Sequence, residues 1–203
     1  YSEAIGFLAD FKDPEKIDYV TYVTAHEIGH QWWAHQVIGS NQQGATVLSE
    51  TQAQYSALMV MEKMYGSDQI RKFLKFELNN YLRSRGGEVV EEVPLNRVEN
   101  QGYIHYRKGG LVMYLLKDMV GEDAVNRALR RVLAQYAFKG APYPRSTDLV
   151  DALRAEVGPE HQQLITDLFE KITLYDVKAK APKVTKRADG RYDVVMTVEA
   201  KKV

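Results

Sequence analysis

The chain has no cysteine, which excludes disulfide frameworks and thiolate metal sites together. It has no excess of either charge. Lys and Arg number 27 and Asp and Glu number 27, so nothing marks a footprint for nucleic acid or for an anionic membrane surface. Long hydrophobic runs are missing too, and the most apolar stretch, Gly109 to Leu116, is far too short to span a bilayer. There is no initiator Met, charged n-region or apolar h-region, and a strand-like pattern runs straight into Val203. Both ends therefore read as cuts in a larger protein. What is present is an ordinary globular composition, 45% apolar and 27% charged over 203 residues, enough for one substantial domain or one with part of another.

The chemistry is concentrated in His26-Glu27-Ile28-Gly29-His30. Histidines four apart on a helix share a face, so both imidazoles can reach one metal ion. Glu27 lies between them, placed to take a proton from a metal-activated water rather than to bind the metal. Asp13-Pro14-Glu15 predicts the start of the helix that carries this stretch, running to about Val37 with a possible break near Asp18. Trp32 and Trp33 are expected to pack that helix into the core. Tyr1 to Asp10 reads as a short strand.

Gly39 to Gly44 is a loop by composition. Ser49 to Gln52 reads as a capping box opening a helix that stops at Gly66, which puts Glu50 in the first turn and able to return over the histidines. Further helices are expected over Ser67 to Arg85, with Ile70, Phe73, Leu74 and Leu78 inward, Ile104 to Val120, Glu122 to Phe138, Ser146 or Thr147 to Val157, and Pro159 to about Ile172. Glu88 to Tyr103 is a long connection of the kind that is often functional. From Thr173 the period changes from 3.6 to 2, and Ala188-Asp189-Gly190 turns one strand into the next. The fold class is therefore mainly α, followed by the first strands of a β domain.

A catalytic zinc usually takes three protein ligands and leaves one position for water. His26 and His30 supply two, and Glu50 is the best third. Glu27 can pass the proton it accepts to the leaving amine, serving as base and then acid. A positioned donor such as a tyrosine hydroxyl would complete stabilisation of the carbonyl oxygen. His35, five residues after His30, is turned away from the metal face and reads as structural, and so does His105. His161 reads as surface, and Lys178 to Arg187 as a solvated strand face.

His26-Glu27-Ile28-Gly29-His30-Gln31-Trp32-Trp33 followed by Leu48-Ser49-Glu50 resembles the zinc-binding signature of the aminopeptidase N family of gluzincin metallopeptidases, and Tyr106-Arg107-Lys108-Gly109 resembles that family's Tyr-x-Lys-Gly. The resemblance implies one Zn2+ held by His26, His30 and Glu50, Glu27 as general base, Tyr106 as the donor to the tetrahedral intermediate, and a peptide substrate. Nineteen residues lie between His30 and Glu50, one more than the family usually has, with the Gly39 to Gly44 loop available to absorb it. The family's Gly-x-Met-Glu-Asn strand, which holds the substrate amino terminus, is expected just before Tyr1-Ser2-Glu3.

By the same resemblance, residues 1–173 form the C-terminal helical part of a thermolysin-like catalytic domain, and residues 174–203 the start of a β-sandwich. The run from His30 to Ser56 is most similar to the peptidase portion of bacterial permease fusion proteins, which implies a membrane-tethered parent, with no membrane contact by these residues. Two other functions stay open: a non-catalytic zinc-containing interaction domain of a membrane transporter assembly, and a thermolysin-like endopeptidase.

Overall fold

The computed structural model describes Glu3, Asp13 and residues 16–203. The strand expected at Tyr1 to Asp10, apart from Glu3, and the helix start at Pro14 lie outside the described residues. The chain divides into two compact units, Tyr1–Lys171 and Ile172–Val203.

The first unit is helical. Its first described helix, α1 (Tyr19–Gly29), begins where the Asp18 carboxylate accepts from the Thr21 N–H at 3.0 Å and so satisfies one of the free donors of the first turn. It ends at Gly29, well short of the expected Val37. The reason lies in the next residues: Ala34 takes a φ of 109°, and Trp33 pairs with Val37 in an isolated bridge, which turns the chain out of the helix. Only one of the two tryptophans packs inward, Trp33 at 4% exposure against 45% for Trp32.

The next helix is already formed at Ala45, passes through a π-helical turn at Val47–Thr51 and continues as α2 (Gln52–Tyr65). The expected capping box at Ser49 is therefore not made, and the Ser49 hydroxyl instead donates to the Thr46 carbonyl at 3.5 Å. Helix α2 ends at Gly66, whose φ of 84° is open to glycine and costly for other residues.

Helix α3 (Ser67–Gly86) buries Ile70, Phe73, Glu77 and Tyr81 and leaves Leu78 exposed, which corrects the expected apolar face. After the long connection comes a second π turn, Tyr103–Lys108, running into α4 (Gly109–Val120). Then follow α5 (Glu122–Tyr136), α6 (Ser146–Glu156) and the short α7 (Gln162–Ile165). At the start of α6 the Asp148 carboxylate accepts from the Arg145 N–H at 2.7 Å, while Ser146, the expected cap, turns its hydroxyl to the Asn96 carbonyl at 2.6 Å.

Helix α2 is the hub. It is buried at Gln52, Ala53, Gln54, Tyr55, Ala57, Leu58 and Met61, and gives Ala57, Leu58 and Met61 to one apolar cluster and Tyr55 to another. One holds Tyr22, Leu58, Met61, Phe73 and Tyr114. The other joins Trp33, Leu48 and Tyr55 to Ile104, Met113 and Leu116 of the second π turn and α4. Leu58 and Leu116 have no exposed surface, and truncating either to alanine is expected to cost about 2–5 kcal/mol. Among the described residues no helix is long and apolar enough to cross a membrane.

The second unit is two nested antiparallel ribbons. β1 (Tyr175–Ala179) pairs with β4 (Val198–Lys202), from Tyr175 opposite Lys202 to Ala179 opposite Val198. Between them β2 (Lys183–Lys186) pairs with β3 (Tyr192–Val195), joined by a turn in which Gly190 has a φ of 84°. The chain is thus mainly α followed by short strands, as its change of period implies.

Candidate metal centre

The three side chains expected to bind metal converge. His26 Nε2 lies 3.2 Å from Glu50 Oε2, His30 Nε2 lies 3.3 Å from the same oxygen, and the two Nε2 atoms are 3.1 Å apart. A tetrahedral zinc with bonds of about 2.0–2.1 Å sets its ligand atoms about 3.3–3.4 Å apart, so this near-equilateral triangle fits one such ion with little movement. His30 is oriented by the turn that follows α1. Its Nδ1 donates to the Trp33 carbonyl at 2.8 Å, and because a carbonyl only accepts, the proton sits on Nδ1 and leaves the Nε2 lone pair free for a metal.

Glu50 sits inside the π turn. A π turn takes one residue more than an α-helical turn, which gives the nineteen-residue spacing a place at the ligand itself rather than only in the preceding loop. Burial pushes the Glu50 carboxyl up. Hydrogen bonds from His26 and Tyr106 outweigh it and hold the group below the usual carboxylate range.

Tyr106, in the second π turn, stands with its ring 5.6 Å from that of His26. Burial, then the hydrogen bond to Glu50, raises its phenol well above the ordinary value, so the hydroxyl keeps its proton and remains a donor at any physiological pH. Glu27 is exposed on the rim of a cleft that it lines together with Tyr19, Val23, His26, Tyr106 and Arg107. All five expected site residues therefore border one place. His35 is exposed and faces Gln31, and His161 is partly exposed beside Glu160. His105, in contrast, is buried against the Tyr106 ring at 4.7 Å, and burial lowers its imidazole.

The family model of the peptidase family M1 domain matches residues 6–171. The chain belongs to peptidase family M1. Human endoplasmic reticulum aminopeptidase 2 is 26% identical over 132 residues, which are 61% of this chain and 13% of that protein. Crystal structures of an M1 zinc metallopeptidase from Deinococcus radiodurans share the fold. A mutant form is 24% identical with a TM-score of 0.59, covering 75% of this chain and 34% of that one. The same enzyme bound to a Tyr-Ser-Ala substrate is 22% identical with a TM-score of 0.57, over 73% of this chain and 32% of that one. The M1 chain thus spans about an eighth of the curated relative and a third of the solved chains.

Around the Tyr106 turn the M1 fold carries polar residues that motif reading passes over. Arg107 donates to both oxygens of Glu77, at 3.0 and 3.2 Å, and Gln54 donates to Glu77 at 3.1 Å and to the Tyr22 hydroxyl at 2.6 Å. Lys108 pairs with Glu92, which also accepts from Arg85 at 2.7 Å and from the Tyr81 hydroxyl at 2.9 Å. The two residues that follow Tyr106 are thus each tied to a buried carboxylate. Burial raises the Glu77 carboxyl in spite of Arg107, whereas Lys108, Arg85 and Tyr81 overcome burial at Glu92 and lower it. One signal of this network is visible in the sequence: Ile70, Phe73, Glu77 and Tyr81 fall on one helical stripe, so a carboxylate interrupts the apolar face of α3.

Proposed function

We propose that this chain carries the zinc-dependent catalytic centre of a peptidase, most simply an aminopeptidase, with His26, His30 and Glu50 as ligands of one Zn2+. The observation that carries the reading is the triangle of ligand atoms, 3.1 to 3.3 Å on a side, beside a protonated tyrosine. When bound, the ion supplies Lewis acidity that makes water nucleophilic near neutral pH and polarises the scissile carbonyl. Glu27 accepts the proton of the attacking water and delivers it to the leaving amine nitrogen. Tyr106 donates its hydroxyl hydrogen bond to the carbonyl oxygen as negative charge develops there. Residues 1–173 form the C-terminal part of the catalytic domain in this reading, and residues 174–203 begin a β-sandwich.

The test is hydrolysis of amino-acid arylamides by the zinc-loaded protein. Glu27→Gln is expected to lower kcat by about 10²–10⁴-fold with zinc still bound. Equal rates for the two proteins would remove the proposal. Running N-terminally blocked peptides beside the arylamides separates exopeptidase from endopeptidase action, since only the latter tolerates a blocked amine.

A further inference from the structure

We propose that Thr51 is a positioning residue: its hydroxyl locks the turn bearing Tyr106 against the turn bearing Glu50. The inference rests on the reading of Glu50 as a metal ligand and Tyr106 as the donor to the carbonyl oxygen.

Both residues sit in π turns, Val47–Thr51 and Tyr103–Lys108. A π turn withdraws one backbone carbonyl from its usual helical donor. In the second turn that carbonyl belongs to His105. In an α-helix its donor would be the Gly109 N–H, which here bonds the carbonyls of Ile104 and Tyr106 instead. The His105 carbonyl is buried, and a buried acceptor needs a partner. Thr51 supplies it, with its Oγ1 donating to that carbonyl at 2.6 Å across 54 positions of sequence.

The approach is possible because residue 109 is glycine. A Cβ there would fall on the Thr51 hydroxyl and lie 2.8 Å from its Cγ2. The other anchors of the Tyr106 turn run elsewhere, Arg107 to Glu77 on α3 and Lys108 to Glu92 in the long connection. They hold side chains of the turn, as does the hydrogen bond between the Tyr106 hydroxyl and Glu50, whereas Thr51 holds its backbone. The Thr51 bond connects the residue that follows Glu50 with the residue that precedes Tyr106. It therefore sets the distance between the metal position and the phenol, a distance on which the strength of a charge-stabilising donor depends steeply.

The experiment uses Co2+ in place of zinc and 3-fluorotyrosine at position 106 of the whole chain, with the paramagnetic shift of the ring fluorine reporting its distance and angle from the metal. Thr51→Val and Thr51→Ala are expected to bind Co2+ with the affinity of the parent but to show a displaced or split fluorine line. Thr51→Ser is expected to restore the single parental line. An unchanged line in both hydroxyl-free variants overturns the proposal. So does loss of Co2+ binding by both, which would make Thr51 a structural support of the ligand, or a Ser variant that behaves like Val. Glu50→Gln separates the two levels of argument. If it binds Co2+ as tightly as the parent, the ligand reading falls and takes the inference with it.

Discussion

His26 and His30 bring their Nε2 atoms to 3.1 Å of one another with the Glu50 carboxylate oxygen in contact with both. Two imidazole nitrogens and a carboxylate oxygen this close are held together by a proton or a cation among the three atoms. Metal binding is therefore expected to stabilise the fold. At free zinc a hundredfold above Kd the linkage amounts to about 2.7 kcal/mol. For a chain of this size that is a rise in Tm of roughly 5–10 °C, reversed by a chelator. Glu50→Gln should abolish most of the rise, and thermal unfolding with and without zinc measures both. An unchanged Tm would mean the triangle does not hold zinc.

Acid sensitivity should pass through Glu92. Burial alone would raise its carboxyl, but hydrogen bonds from Lys108, Arg85 and Tyr81 prevail and lower it. A carboxyl depressed in the fold contributes stability above its unfolded value near 4.5, and that contribution is lost as pH falls through the lower folded value. Glu92→Gln should therefore destabilise at pH 7 by about 3 kcal/mol, since it strands Lys108 and Arg85, and the deficit should shrink below pH 4.5. Urea unfolding at pH 7 and at acid pH distinguishes this from a loss that is the same at both.

Much of this arrangement is legible in the chain, because it follows from local rules. The four-residue spacing of His26 and His30 puts both on one face, Gly66 and Gly121 end helices where expected, and the period of two marks the ribbons after Thr173. What is not legible depends on partners distant in sequence. Glu77 displaces Leu78 from the buried face of α3 because Gln54 and Arg107 are there to receive a carboxylate. The two π turns are equally hidden, since what pays for the withdrawn carbonyl of His105 is a hydroxyl 54 residues away. Helix α1 is overextended by its apolar pattern because Trp32 and Trp33 suit a helix, and only the backbone at Ala34 reveals the turn.

That turn leads to a stability prediction. Ala34 occupies a φ of 109°, where a Cβ is strained, while the neighbouring Trp33 carbonyl holds His30. Ala34→Gly relieves the strain and is expected to stabilise by about 0.5–1 kcal/mol after the entropic cost of glycine in the unfolded chain. Ala34→Val should destabilise by about 1 kcal/mol or more. Equilibrium urea denaturation gives both signs, and a destabilised glycine variant would show that the turn is not strained.

The close packing of Gly109 on Thr51 makes a prediction about coupling that is independent of any metal. Gly109→Ala places a methyl on the Thr51 side chain, with Cγ2 2.8 Å away, and the helix backbone behind it has little room to retreat because Gly110 is packed in turn on Gln54, where a Cβ would lie 2.9 Å from Cγ. Overpacking of this kind costs about 1–3 kcal/mol. Thr51→Ala also costs, about 1–3 kcal/mol, because the buried His105 carbonyl loses its donor. Combined, the two should cost less than their sum: once Thr51 is truncated the methyl at 109 has space, and its penalty falls. The coupling energy expected for residues in such contact is about 1 kcal/mol or more, against about 0.3–0.5 kcal/mol for independent sites. Urea unfolding of the two single variants and the double variant closes the cycle. Strict additivity would mean that α4 shifts away from the Glu50 turn instead of pressing on it, and that Gly109 is not what allows the two turns to meet.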